Sequence, residues 1–267
     1  MPEGQVSHRN AIVLTRAIAG DPLVRVDVAE PRLGPQRIAE RLEGDVLDRM
    51  EARGKHHLFL FRSGRVLHSH LRMGGVWRAY PATAEVPRGG LWLALATQQA
   101  VVAQYRGPVL RLYEPGEPLP ATQALGPDLL HEQADPAAIG RRLLGIEPTR
   151  QVGDAVMDQR VMSGIGNVYK SETLFLAGID PWRPVGSLGP HEAEAIGAIG
   201  SELLAIGVRD RGRIRTYRPP LGTARPGERT WVYGRRGRPC RECGTPVRSR
   251  GQGDANRTTY WCPRCQA

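Results

Sequence analysis

The chain has 267 residues, 40% hydrophobic and 24% charged, so it can bury a substantial core and is expected to divide into two or three domains. No apolar run approaches membrane length, and the N-terminus carries an acid at position 3 where a signal peptide would be apolar; a cytoplasmic protein is expected. Net charge is +10 and unevenly spread: residues 209–267 hold 15 Arg against 4 acidic residues, whereas residues 1–208 are close to neutral.

The first four residues, Met1-Pro2-Glu3-Gly4, admit two readings. Loss of the initiator Met would leave Pro2 with a free secondary amine, which titrates near pH ~8 and is partly nucleophilic at neutral pH. Attack on an aldehyde carbon gives an iminium, the electron sink of Schiff-base catalysis, with Glu3 beside it to shuttle protons. In the plainer reading Pro2 is a tolerated second residue and Glu3 an acid at a helix start. Residues 3–19 read as a helix with Val6, Ile12, Val13, Ala17 and Ile18 available for one face, stopped by Gly20-Asp21-Pro22. Residues 23–28 alternate as a strand, and 35–42 form a short helix closed by Gly44.

From Val46 to Trp77 the pattern is β, with residues 57–61 and 66–71 flanking a hairpin turn at Arg62-Ser63-Gly64-Arg65. Residues 91–96 and 100–105 continue the sheet, so a sandwich or barrel capped by the first helix is expected. Residues 115–127 are punctuated by Pro and Gly and read as a linker. Helices follow at 136–144, 152–159, 167–177 and 191–206, and residues 209–229 read as a basic loop. The basic end interleaves Arg with Tyr217, Trp231, Tyr233, Tyr260 and Trp261, which points to a polyanion, most simply nucleic acid; a solubilising tail would have few aromatics. Only Lys55 and Lys170 occur against 35 Arg. Lys can release a proton that Arg keeps, so both are candidates for a role Arg cannot fill, although compositional drift also leaves survivors.

Cys240-x2-Cys243 and Cys262-x2-Cys265 lie 18 residues apart, the spacing of a tetrahedral four-cysteine zinc site with a β-hairpin between the pairs. Two disulfides are the alternative, disfavoured in a cytoplasmic chain. Four thiolates leave no open coordination position, so such a zinc is structural. Gly164-Ile165-Gly166-Asn167 opens a helix, where free N–H groups and the positive dipole suit a phosphate. An ordinary helix junction with Asn167 as N-cap fits equally well. His70 to Gly74 ends a strand, and Arg72 and Met73 on its tight loop suit the gap left by a flipped base; Met73 also suits a core position.

Taken in order, these segments resemble the formamidopyrimidine-DNA glycosylase/endonuclease VIII family of base-excision repair enzymes. Pro2-Glu3 resembles the family's N-terminus, and Gly4 is typical of its endonuclease VIII branch. Arg53-Gly54-Lys55 resembles the segment with the catalytic Lys, and His70 to Gly74 the intercalation loop. Gly126-Pro127-Asp128 resembles the start of the helix–two-turn–helix domain, and Asp158-Gln159 with Gly164 to Glu172 its DNA-binding turn. Tyr233-Gly234-Arg235 and Cys240 to Gln266 resemble the zinc finger. The resemblance covers nearly the whole chain.

It implies an α+β fold: an N-terminal catalytic β-sandwich with flanking helices (1–114), a linker (115–125), a helix–two-turn–helix domain with the basic loop (126–229) and a four-cysteine zinc finger (230–267). It also implies a monomeric bifunctional DNA glycosylase and AP lyase with one structural zinc and no organic cofactor. Damaged double-stranded DNA would lie in the cleft between the two halves. Oxidised bases, oxidised pyrimidines above all, would be excised and abasic sites cleaved by β,δ-elimination. Pro2 would be the nucleophile at C1′, Glu3 would move protons near the sugar, and Lys55 would contact phosphate or sugar and support elimination. Leu71, Arg72 and Met73 would form the intercalation loop, and Asn167 and Arg257 would hold the phosphates flanking the everted nucleotide. The chain departs from the family at Val6, where many members carry Glu, and at Tyr105-Arg106-Gly107-Pro108, a poor match to the second insertion loop. Met73 resembles the formamidopyrimidine branch and Gly4 the other. A non-catalytic zinc-finger DNA-binding protein of the same fold is the first rival, but it has no use for Pro2, Glu3 and Lys55 together. An RNA-processing or ribosome-associated zinc-ribbon protein is the second, and it leaves the N-terminus unexplained.

Overall fold

In the computed structural model the described residues are 2–219 and 228–267; the expected basic loop falls partly on residues 220–227, outside them. Helix α1 (Gly4–Ile18) buries Leu14 and Ile18, and the N–H of Ala19 closes its last turn on the Thr15 carbonyl. It is followed by β1 (Arg25–Val28), a 3-10 turn at Pro31–Gln36 and the short α2 (Ile38–Leu42). Strands β2 (Leu47–Arg53), β3 (His56–Phe61), β4 (Val66–His70), β5 (Val76–Pro81), β6 (Leu91–Ala96), β7 (Ala100–Tyr105) and β8 (Val109–Tyr113) complete the first unit.

They form two antiparallel four-stranded sheets, ordered β1-β6-β7-β5 and β2-β3-β4-β8. Trp77, Leu95 and Val102 of one sheet share a core with Phe59, Leu67 and Leu112 of the other, and with Leu14 and Ile18. The arrangement is therefore a sandwich. Each such side chain contributes about 1.5–3 kcal/mol by leaving water. Helix α1 lies along edge strand β2, where the Thr15 hydroxyl accepts the Met50 N–H at 2.9 Å.

The compact units are Met1–Gln123 and Ala124–Ala267, so the finger belongs to the second. The expected linker contains a one-turn helix, α3 (Pro120–Gln123). Beyond it come α4 (Pro136–Leu144), α5 (Val152–Ala155), α6 (Asn167–Leu176) and α7 (Pro190–Arg209). Asp135 caps α4 by accepting the Ala137 N–H at 2.9 Å. Helix α5 ends four residues before its expected end. The Asp158 carboxylate takes the Arg160 N–H at 3.0 Å, and the Gln159 amide bonds the carbonyls of Met157 and Ile165 and the N–H of Gly164. Side chains thus replace the helical ladder and set the two turns that precede α6. Every residue of α6 from Asn167 to Phe175 is buried. In the finger, β9 (Arg248–Gln252) and β10 (Arg257–Trp261) make the expected hairpin between the cysteine pairs. No helix among the described residues is long and apolar enough to cross a membrane.

Candidate active site and zinc centre

Pro2 is half-buried and Glu3 is 1% exposed at the head of α1. Glu3 is the N-cap by backbone conformation, its carbonyl accepting the Val6 N–H at 3.0 Å, but its carboxylate makes no capping hydrogen bond. The buried Glu3 side chain therefore lies at the positive end of the helix dipole without serving as its cap. Val6 packs against the sandwich core, and the polar residues buried on either side of it are Gln5 and Ser7. Lys55 sits half-buried in the two-residue turn between β2 and β3, where Gly54 takes the left-handed φ of 56° that such a turn requires.

Four of the seven histidines lie on the two strands that follow, and sequence reasoning missed them as a group. The signal was there: His56, His57, His68 and His70 fall on paired strands, with His56 opposite His70. His56 Nδ1 and His68 Nε2 are 2.8 Å apart, and the His56 and His70 rings are 4.7 Å apart. Asn10 on α1 bonds His57 Nε2 at 3.2 Å, so the middle of α1 is tied to the strand that begins beside Lys55. Burial above all pushes His56 and His57 down to about 3 and His68 and His70 down to about 4. Mutual repulsion among the histidines adds to it at His56, His57 and His70, Arg72 and Lys55 add to it at His70 and Arg111 at His68, while a backbone hydrogen bond at Ser69 partly opposes it at His57. All four are neutral imidazoles at pH 7. Lys55 is among the cations that depress His70, which places the two side chains in one neighbourhood.

His70 Nδ1 accepts the Arg72 N–H at 3.1 Å and so braces the expected intercalation loop. Arg72 has a φ of 50°, and Met73 is 59% exposed. Leu71 corrects the expectation: it is 2% exposed and belongs to the sandwich core, so it anchors the loop from beneath. Gly75 closes the loop where no side chain fits, since a Cβ would lie 2.8 Å from the Leu71 carbonyl oxygen.

In the second unit, Asn167 is the first helical residue of α6 and Gly166 is the N-cap, which corrects the capping role expected of Asn167. The Asn167 amide, 6% exposed, donates to the Thr258 carbonyl at 2.8 Å, next to the exposed Arg257. The two expected phosphate-binding residues therefore stand on adjoining elements. Ser171 accepts the Tyr260 N–H at 3.3 Å, one turn further along the same helix. Glu172, fully buried, accepts the N–H groups of Trp231, Val232 and Tyr233 at 2.7, 2.9 and 2.8 Å, together with the Thr216 hydroxyl. Helix α6 thus presents one polar face to the finger.

The ligand atoms of Cys240, Cys243, Cys262 and Cys265 all lie within 4.8 Å of one another. Cys240–Cys265 is 3.8 Å and Cys243–Cys262 is 3.5 Å, far too long for disulfides. Zn–S bonds of about 2.3 Å in a tetrahedron put sulfurs roughly 3.8 Å apart, so the cradle fits zinc. This is a structural zinc centre.

A two-sheet sandwich headed by Pro2-Glu3 and a helical unit closed by a four-thiolate finger define a class of DNA-repair fold, and the sequence comparisons agree. The model of the formamidopyrimidine-DNA glycosylase N-terminal domain matches residues 1–108 and that of its H2TH domain residues 125–218. A zinc finger found in FPG and IleRS matches residues 237–267. The probable endonuclease 8 2 of Streptomyces coelicolor is 41% identical over all of this chain and 94% of its own. The DNA-(apurinic or apyrimidinic site) lyase Nei2 of Mycolicibacterium smegmatis is 36% identical over 100% of this chain and 99% of its own. A Lactococcus lactis FPG mutant, solved in complex with Fapy-dG containing DNA, superposes with a TM-score of 0.83 at 25% identity over 99% of both chains. The chain belongs to the formamidopyrimidine-DNA glycosylase/endonuclease VIII family.

Proposed function

We propose that this chain is a bifunctional DNA glycosylase and AP lyase acting on oxidised bases in duplex DNA, oxidised pyrimidines ahead of purines. Full-length similarity to an endonuclease 8 at 41% identity carries the reading. The buried Glu3 at the helix head, not spent on capping, supports it. The Pro2 amine attacks C1′ of the everted nucleotide; a C–N bond forms, the glycosidic bond breaks, and the base leaves with a proton. Ring opening gives the iminium, which acidifies the C2′ hydrogens. Loss of a C2′ proton expels the 3′ phosphate, and a second elimination expels the 5′ phosphate. Glu3 carries the protons near the sugar, and Lys55 donates to the phosphate or sugar oxygen. Arg72 and Met73 fill the vacated stack, with Leu71 as their anchor. Asn167 and Arg257 hold the flanking phosphates and offset an unstacking cost of a few kcal/mol.

In this reading residues 1–114 supply the chemistry, and 126–229 with the finger at 230–267 supply the grip, joined by a linker at 115–125. The protein works as a monomer in the cytoplasm, where four close thiols stay reduced for zinc. Borohydride trapping on abasic-site duplex tests it: processed protein forms a covalent adduct, while Pro2→Gly traps at least tenfold less and still binds DNA. No adduct from processed, DNA-binding protein would favour a non-catalytic DNA-binding role.

A further inference from the structure

Lys170, one of only two lysines, is 1% exposed on α6 and has no part in the chemistry above. Its Nζ donates to Thr259 Oγ1 at 2.7 Å. An ammonium cannot accept, so the Thr259 hydroxyl must spend its one proton elsewhere. It donates to Gln252 Oε1 at 2.8 Å. That fixes the amide, whose Nε2 donates to the Pro181 carbonyl at 2.8 Å and to Gln151 Oε1 at 3.1 Å. The chain of donors therefore has one direction, set by the lysine at its head.

Both finger residues in this chain bracket Arg257. Thr259 lies two residues beyond it on β10, and Gln252 is its cross-strand partner on β9. Asn167 holds the intervening Thr258 carbonyl from the same helix. Lys170, Gln252, Met157 and Arg257 also line one cavity of about 250 Å³. The hairpin approaches so closely that a Cβ on Gly153 would lie 2.3 Å from Gln252 Oε1. Register and tilt of the strand bearing Arg257 are thus set from α6.

We propose that Lys170 is a positioning residue for Arg257: by ordering the Thr259–Gln252 pair it aims the guanidinium at the DNA phosphate. This rests on the reading of Arg257 as a phosphate contact. The test measures affinity for a duplex carrying an uncleavable tetrahydrofuran abasic analogue against salt, using full-length zinc-loaded protein. Lys170→Met should weaken binding about 3- to 10-fold at 0.1 M salt and remove most of the roughly 0.9 unit of salt slope that one phosphate contact supplies. Thr259→Val, which deletes the hydroxyl from the finger side, should do the same, and Thr259→Ser should restore both; this pair carries the test if Lys170→Met does not fold. In an Arg257→Ala background, Lys170→Met should cost nothing further. Zinc content and melting temperature report any general damage. If Lys170→Met and Thr259→Val keep the wild-type slope, and Arg257→Ala still costs its full loss in their background, the positioning role is wrong and the reading of Arg257 stands. If Arg257→Ala alone leaves slope and affinity unchanged, the phosphate reading fails and takes this proposal with it.

Discussion

An acid that heads a helix usually caps it, and Glu3 does not. Its side chain is buried all the same, directly after Pro2 in the chain, and burying a carboxylate costs stability unless it is paired or hydrogen-bonded. The histidines show the opposite economy: they are buried neutral and brace what surrounds Lys55. Their folded values of about 3 to 4 lie below the unfolded value of about 6.5, so between those limits the unfolded chain binds more protons. Their contribution to stability is complete above pH ~6.5 and is lost as pH falls through the folded values. Melting temperature should therefore be level near pH 7 and drop steadily from pH ~6.5 to ~4.5. The double variant H56Q/H68Q should show a shallower drop in the same melts. Parallel curves would mean that other groups cause the acid sensitivity.

At the scale of elements, α6 organises the second unit. Burial pushes the Glu172 carboxyl up, and the Thr216 hydroxyl and three backbone donors pull it back down. Glu172→Gln would turn an NH2 group toward donors, leaving at least one buried N–H unmet at about 1–3 kcal/mol. The expected result is a melting temperature lower by several degrees with zinc still bound, checked by calorimetry and metal analysis; an unchanged melt would show that the segment from Trp231 to Tyr233 is held from elsewhere.

Elements whose pattern is local were legible in the sequence. Strands β6 and β7 and helix α4 have the bounds their periodicity gives, and the cysteine spacing defines the zinc centre. Strand β8 was missed because Val109 to Tyr113 is short and follows Pro108, so its pattern merges with the loop before it. The early end of α5 depends on where the Asp158 and Gln159 side chains bond, which periodicity does not encode. The burial of Leu71 was hidden by its place in a polar loop. Least legible were the contacts from α6 to the finger, which join residues about 60 to 90 positions apart.

On the scale of the whole molecule, the basic end is less free than its composition suggests. Of its 15 Arg, several are structural. Arg241 lies 3.7 Å over the Tyr217 ring and donates to the Thr230 and Glu228 carbonyls. Arg235, 6% exposed, donates to the carbonyls of Trp231 and Pro239. Arg250 lies 3.7 Å over Trp182, and Arg215 pairs with Asp210. Counterion release counts only the phosphates neutralised, so the 15 Arg should act as fewer contacts than their number, each adding about −0.9 to the slope of log K against log[salt]. The two kinds of arginine should then separate in one experiment. Arg257→Ala should flatten the slope by about 0.9 with little change in melting temperature, because the side chain is exposed. Arg241→Ala and Arg250→Ala should keep the slope and lower the melting temperature, because each loses a stacked contact worth about 0.5–2 kcal/mol. Salt titrations paired with melts decide it. If Arg250→Ala flattened the slope as much as Arg257→Ala, stacking on Trp182 would not keep that guanidinium from DNA, and the basic end would act as a diffuse charge field with no aimed clamp.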